Sequence, residues 1–312
     1  MIIIYFLLIF LFSFLLVKGA DLTIKYLTKI GQFLKLGPFF LSFIFVAITT
    51  SLPEISVAIV SSFHKVSNLS LGNVIGANII NLTLILGLYA IIAKGIGFRK
   101  TTKIETFASL LASFLPVFLA LDGKLSRTDG LVLIFLFIIY LFFIFLKEKR
   151  HFQRISSERE KDIYKNFFFL ICGLILLVGS AEIIVKIAQI LAINLKLPLI
   201  LIGLILISLG TILPELTFGL RAVLKKQSEL SLGDSLGTIV VNSCLGLGLA
   251  ALIFPIEIVA FSTFFLSAFF FLSAIIIFAF FIETNNKLSQ TEGIFLVLFF
   301  IIFLIVQLLF SR

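Results

Sequence analysis

Glu54 closes the stretch AITTSLPE at residues 47–54 and is the sole acidic side chain between Leu36 and Val60. Glu215 closes SLGTILPE at residues 208–215, in an equally apolar setting. An ionised carboxylate in hydrocarbon costs at least ~2.5–3.5 kcal/mol on insertion scales, and the proline before each glutamate removes a backbone donor. Two such carboxylates placed side by side cannot both stay ionised in low dielectric without a counter-charge. A bound cation supplies it. Hard oxygen donors suit Ca²⁺, which takes six to eight oxygens, or Na⁺ with fewer. Each proline also frees the carbonyl about one turn earlier, near Thr49 and Thr50 in the first stretch and near Gly210 and Thr211 in the second. One turn of chain then offers a carboxylate, a threonine hydroxyl (Thr50 or Thr211) and a backbone oxygen. Asn81 and Asn242 lie inside the apolar runs that follow and are read as ligands or their close supports. With no Cys or His at these places, a soft transition metal is disfavoured.

The chain must position these groups inside a membrane. It is 61% hydrophobic and 13% charged over 312 residues, far from the roughly 45–50% apolar and 25% charged composition of globular domains. Apolar runs long enough to cross a bilayer recur throughout. The sequence predicts ten spans, near 2–24, 37–62, 71–93, 104–121, 129–147, 166–190, 197–221, 231–253, 256–281 and 292–311. The N-terminal run lacks a basic leader and an A-x-A site, and is read as the first span rather than a signal peptide. Cys172 and Cys244 both fall within apolar stretches and are read as small buried residues. The net charge of +9 resides largely in short connections, so it speaks for membrane orientation and not for nucleic acid.

The halves are copies of one another. LLVKGAD at 15–21 matches LLVGSAE at 176–182, a shift of 161. The same shift carries Thr50 to Thr211, Pro53 to Pro214, Glu54 to Glu215, Gly72 to Gly233, Gly76 to Gly237 and Asn81 to Asn242. Chance identity among apolar residues does not preserve Pro, Glu, Asn and Gly together, so the chain is an internal duplication. Its expected parts are a first five-helix repeat (1–146), a basic loop (147–165) and a second repeat (166–312). An odd number of spans per half inverts the second copy. With the 147–165 loop placed in the cytoplasm, nineteen of the 25 Lys and Arg fall inside and six outside, which puts both termini outside. The fold expected is an all-α polytopic membrane protein of ten transmembrane helices in two inverted five-helix repeats. Inverted repeats with interrupted helices are transporter architecture, with the site at the repeat interface near the midplane. The inversion would bring Glu54 and Glu215 face to face. The Gly-rich runs after each break would let helices approach closely.

Other acidic residues read as structural. Asp21 and Glu182 each have a lysine four residues on, a helix-face ion pair. Asp234 falls at the expected start of a span, where a helix N-terminus favours an anion.

TTSLPEISVAIVSS…LGNVIGANIIN and LGTILPELTFGLRAV…LGDSLGTIVVN resemble the paired repeats of the cation/calcium exchangers, and within them the prokaryotic sodium/calcium exchanger branch. The resemblance spans the whole chain. It implies an antiporter of the cell membrane that exports Ca²⁺ against inward Na⁺ by alternating access, spans 1 and 6 sliding across the rest. It implies that Glu54 and Glu215 bind Ca²⁺ with Thr50 and Thr211. It implies too that Ser51, Ala47 and Ser208 (the latter two through backbone oxygens), Thr238, Asn81 and Asn242 line sodium sites or the centre. Four positions depart from the pattern: Thr49 replaces a Gly, Asn242 stands where many prokaryotic relatives have Asp, and Ile212 (opposite Ser51) and Ala77 each replace a hydroxyl residue. These losses favour the alternative on the same fold, a Ca²⁺/H⁺ antiporter, while the Pro before each Glu favours sodium. An inverted duplication argues against a cation channel, and no catalytic constellation supports an enzyme. No cofactor is expected; the partners are Ca²⁺, Na⁺ or H⁺ and the lipid bilayer, with the monomer as working unit.

Overall fold

The computed structural model of the chain describes residues 2–33, 48, 50–97, 100–147, 163–226, 228–285 and 287–310. Almost all of these are helical. α1 (Ile2–Phe33) is followed by α2 (Leu52–Phe63). α3 (Asn68–Ile80) passes through a π-helical turn, Asn81–Ile85, into α4 (Leu86–Ile92). α5 (Lys100–Leu119) and α6 (Arg127–Lys147) complete the first half. The second half opens with α7 (Ile163–Leu195). α8 (Leu199–Leu201), a π-helical stretch Ile202–Ile207 and α9 (Ser208–Thr211) form one rod that breaks before α10 (Leu213–Leu224). α11 (Ser228–Val240) passes through a third π-helical stretch, Val241–Gly246, into α12 (Leu247–Ile253), and α13 (Phe261–Asn285) and α14 (Gln290–Phe310) follow.

Among the described residues seven helices are long and apolar enough to cross a membrane, or eight if the rod 199–211 and α10 count as one span bent by 43°. Of the two other spans expected, 129–147 is a helix, α6. The span at 37–62 lies largely outside the described residues, which hold of it mainly α2. The loop 147–165 also falls mostly outside them. The chain is a multi-pass membrane protein. Its periphery carries the apolar surface that lipid requires: α14 exposes Phe295, Leu298, Ile301, Ile302 and Ile305 while burying Leu296, Phe300 and Phe303.

Among the described residues four two-residue strands tie loops together. β1 (Ile96–Gly97) pairs with β4 (Lys287–Leu288), and β2 (Lys124–Leu125) pairs with β3 (Ile256–Glu257), both antiparallel. Each pair joins loops that the charge pattern assigns to one side of the membrane. Two apolar clusters fill the interior. The larger is built on α3–α6 and α10–α14, including Tyr89, Phe264, Phe271 and Phe278. The smaller joins α1 and α7 to one face of α2 and the 202–207 stretch, through Ile9, Leu16, Ala181, Val185 and Val57. α1 and α7 cross at backbone distance. A Cβ on Gly19 would stand 2.6 Å from Leu177 N, and one on Gly173 2.7 Å from Thr23 N.

Of the two expected helix-face ion pairs, Glu182 to Lys186 forms at 2.9 Å. His64 Nε2 adds a bond of 2.8 Å to each Glu182 oxygen, linking the end of α2 to α7. Among the described residues Asp21 makes no pair with Lys25, whose Nζ lies 5.5 Å from the Tyr26 ring centroid instead.

Candidate cation site

The two prolines start helices rather than kink them. Ser51 caps α2, and Ile212 occupies the same place before α10. Pro53 and Pro214 fall in the first turn, where a missing N–H removes no helical bond. Glu54 and Glu215 are the acidic residues of those first turns. The free N–H groups of a first turn favour a negative charge, so each break turns a helix terminus toward its carboxylate. Both glutamates are fully buried, and none of their four carboxylate oxygens has a hydrogen-bond partner.

Residues of opposite halves meet around them. Thr50 Oγ1 donates to Asp234 Oδ1 at 3.3 Å and lies 3.1 Å from Thr238 Oγ1. Thr211 Oγ1 donates to Asn73 Oδ1 at 3.3 Å and also reaches the Ser208 carbonyl at 3.4 Å. Thr211 stands beside Glu54 without a bond of ordinary geometry, since both Glu54 oxygens lack one. Glu215 lies within electrostatic reach of Glu54 and Asp234. The close approach rests on glycine: a Cβ on Gly76 would stand 2.8 Å from Ser208 Oγ, and nearer still to the Leu204 carbonyl oxygen. A Cβ on Gly203 would stand 2.8 Å from Asn73 N.

The remaining sequence-predicted residues vary in what they offer. Ser51 is fully buried with an unpartnered hydroxyl. Ser208 turns its hydroxyl back to the Leu204 carbonyl at 2.6 Å. Asn81 heads one π-helical stretch and Asn242 is the second residue of another, both fully buried, with both amide atoms of each unpartnered. Such π-turns concentrate at functional sites. Ala47 lies outside the described residues. Among the described residues no three of His, Cys, Asp and Glu converge as the ligands of one metal. A cation here would be met by carboxylate oxygens together with hydroxyls, amides and carbonyls.

Three further residues join the site. Asn73 and Asp234 are buried partners of the two threonines. Asp234 does not sit at a helix start: α11 begins at Ser228, six residues earlier, and the helix-terminal field fades within the first turn. The correction follows from a helix that extends beyond its apolar part. The repeat shift itself, 73 to 234, was the signal available in the sequence. Tyr89, fully buried, donates from Oη to the Glu215 carbonyl at 2.7 Å. Its repeat mate is Ala250, so no repeat argument could have pointed to it.

Comparison with known proteins identifies the family. A family model described as sodium/calcium exchanger protein matches residues 4–146 and 165–309. The chain belongs to the sodium/calcium exchanger family. The chain is 31% identical over 255 residues to the inner membrane protein YrbG of Escherichia coli, covering 78% of each chain. It is 28% identical to the sodium/calcium exchanger MaX1 of Methanosarcina acetivorans, covering 98% of this chain and 99% of that one. Among solved structures, the sodium-calcium exchanger NCX_Mj soaked with Na⁺ and Sr²⁺ superposes with a TM-score of 0.64 at 28% identity, over 98% and 99% of the two chains. The H⁺/Ca²⁺ exchanger CAX shares the fold, with a TM-score of 0.79 at 18% identity over 98% of this chain and 84% of its own.

Proposed function

We propose that this exchanger-family chain is a secondary active antiporter that moves Ca²⁺ against Na⁺ across the cell membrane by alternating access. The observation that carries this reading is the pair Glu54 and Glu215: two buried carboxylates, from matching helix breaks, with all four oxygens unpartnered. Two anions so placed need positive charge, and a divalent cation supplies two. Thr50 and Thr211 add hydroxyls, Asn81 and Asn242 add amides, and Ser51, Ser208, Thr238 and Ala47 line the flanking positions. The ion is cargo, held by charge and released when the cage opens to one side. No cofactor takes part, and the monomer suffices as the transporting unit.

The architecture behind this reading is ten spans in two inverted repeats, 1–146 and 166–312, joined by the cytoplasmic loop 147–165, with both termini outside. What supports it is the paired geometry: two Pro-Glu helix starts, two π-turns that hold Asn81 and Asn242, and two cross-half Thr contacts, the residues of each pair related by the 161-residue shift. The pairing of α1 with α7 in their own apolar cluster fits a two-helix unit that slides past the rest.

A Ca²⁺/H⁺ antiporter is the second reading. Ile212 and Ala77 favour it, because each replaces a hydroxyl that sodium would use. The deciding experiment is ⁴⁵Ca²⁺ uptake into proteoliposomes under separately imposed Na⁺ and pH gradients. Uptake driven by the Na⁺ gradient is expected; uptake driven by pH and indifferent to Na⁺ would establish the second reading in its place. Glu54→Gln and Glu215→Gln are each expected to abolish uptake while the protein stays monodisperse, and normal exchange in either would remove the site assignment.

A further inference from the structure

His64 is the C-terminal cap of α2, ten residues after Glu54, so one helical stretch of about 15 Å separates it from the cation site. Its Nε2 stands 2.8 Å from each carboxylate oxygen of Glu182 on α7, and Lys186 Nζ meets the same carboxylate at 2.9 Å. The contact lies on the face expected outside. It ties a helix that carries a site glutamate to the α1–α7 pair, which packs in an apolar cluster of its own.

The 161-residue shift gives this contact a mirror image. It carries His64 to Lys225, the cap of α10, and Glu182 to Asp21 of α1. Inversion puts that mate at the inner face, where Asp21 lies within electrostatic reach of Arg221, one turn before Lys225. Yet among the described residues Asp21 makes no ion pair. One copy of the contact is closed and the other open in a single structure. A unit that slides toward one face closes one copy as it opens the other. The copies differ in chemistry too: the inner bases are Lys and Arg, while the outer base is a histidine, which gains its charge between about pH 5 and 8. The charged groups that face it are Glu182 and Lys186 from α7 and its own neighbour Lys65. Of the other elements packed against α2, α3, α9, α12 and the 241–246 stretch carry no charged residue. The charges of α1 (Lys18, Asp21, Lys25 and Lys29) all lie in its second half, toward the inner face.

We propose that His64 and Glu182 are positioning residues for transport: they form an outer latch between α2 and the α1–α7 unit, and external protons tighten it. When the ring is protonated, imidazolium and carboxylate pair by full charge. When it is neutral, the ring keeps one hydrogen bond and loses the Coulombic attraction. Acid in the outer medium therefore holds the unit in the outer-latched state and slows exchange. This rests on the reading of α1 and α7 as the unit that moves.

Equilibrium ⁴⁵Ca²⁺–Ca²⁺ exchange in proteoliposomes isolates the step, because it needs the unit to move and is indifferent to the coupling ion. At about pH 6, His64→Gln and Glu182→Gln are each expected to exchange about 2- to 5-fold faster than the unaltered protein, and at about pH 8 to match it. His64→Lys, which copies the inner mate, is expected to be slow at both pH values. Protonation of the site glutamates slows every form alike, so the difference between forms reads the latch. A His64→Gln profile that follows the unaltered protein overturns the latch, and so does an equal change at both pH values, the mark of a merely structural contact. His64→Lys as fast as the unaltered protein at about pH 8 overturns it as well. A cross-link separates the latch from the reading beneath it. In a Cys172→Ser background, His64→Cys and Glu182→Cys bridged by a short bifunctional methanethiosulfonate are expected to stop exchange, and reduction to restore it. Exchange stopped by the bridge, with no pH response that depends on His64, removes the latch alone. Exchange that continues through the bridge shows that α7 does not move against α2, and the moving-unit reading falls with the latch.

Discussion

Glu54 and Glu215 owe their position to the residue before them. Proline cannot continue a helix, so the chain restarts, and the restart sets a carboxylate in a first turn whose free N–H groups favour it. The burial that makes these carboxylates costly also makes them strong for a cation, since the same charge is worth more where water is excluded. Tyr89 fastens the second restart by donating to the Glu215 carbonyl at 2.7 Å. Tyr89→Phe keeps the ring and removes that bond, so a stability loss of about 1 kcal/mol is expected in thermal or chemical unfolding. An unshifted midpoint would mean the hydrogen bond carries no net weight.

At the scale of elements, the site depends on how near two helices come. α3 meets the rod 199–211 with backbone against backbone at Gly76 and Gly203. Gly76→Ala would drive a methyl into the Leu204 carbonyl, and overpacking of this kind costs roughly 1–3 kcal/mol or more. A marked fall in melting temperature is expected, with exchange lost in proportion to the displaced site. Gly179, in α7, provides the contrast, because a Cβ there meets nothing within 4 Å. Gly179→Ala should leave the protein as stable or raise it by up to about 1 kcal/mol through helix propensity alone. His64 joins α2 to Glu182 of α7 across an exposed contact. An exposed pair contributes about 0–1 kcal/mol, so His64→Ala should barely move the melting point. A large drop would show that this contact holds the two elements together.

At the scale of the whole molecule, the β1–β4 and β2–β3 pairs bring together loops that the charge pattern assigns to one face each. This makes orientation testable with single cysteines. A membrane-impermeant maleimide applied to intact cells should label Lys124→Cys, on the expected outer face, and should reach Lys226→Cys only after permeabilisation. The opposite pattern would invert the assigned topology. Native Cys244 is fully buried and Cys172 only partly so, so Cys172→Ser is the suitable background.

The halves, their copying and the two Pro-Glu stretches were legible in the sequence because they follow from local rules. Apolar length marks a membrane span, proline marks a break, and a repeat preserves costly residues that chance would lose. Thr50, Thr211, Asn81 and Asn242 were legible for the same reason, each lying at a fixed offset from a break or its mate. What the chain alone could not tell was which side chains meet across the interface. The pairing of Thr50 with Asp234, and of Thr211 with Asn73, depends on helix rotation and on glycine contacts at Gly76 and Gly203. Asp234 looked like a helix-end residue because hydropathy places a helix at its apolar part, while hydrogen bonding starts α11 at Ser228. The π-turns that hold Asn81 and Asn242 have no sequence signature, and Tyr89 has no tyrosine mate to reveal it. Local sequence determined which groups are placed in the membrane at a cost; only the packing of one half against the other decided which of them meet.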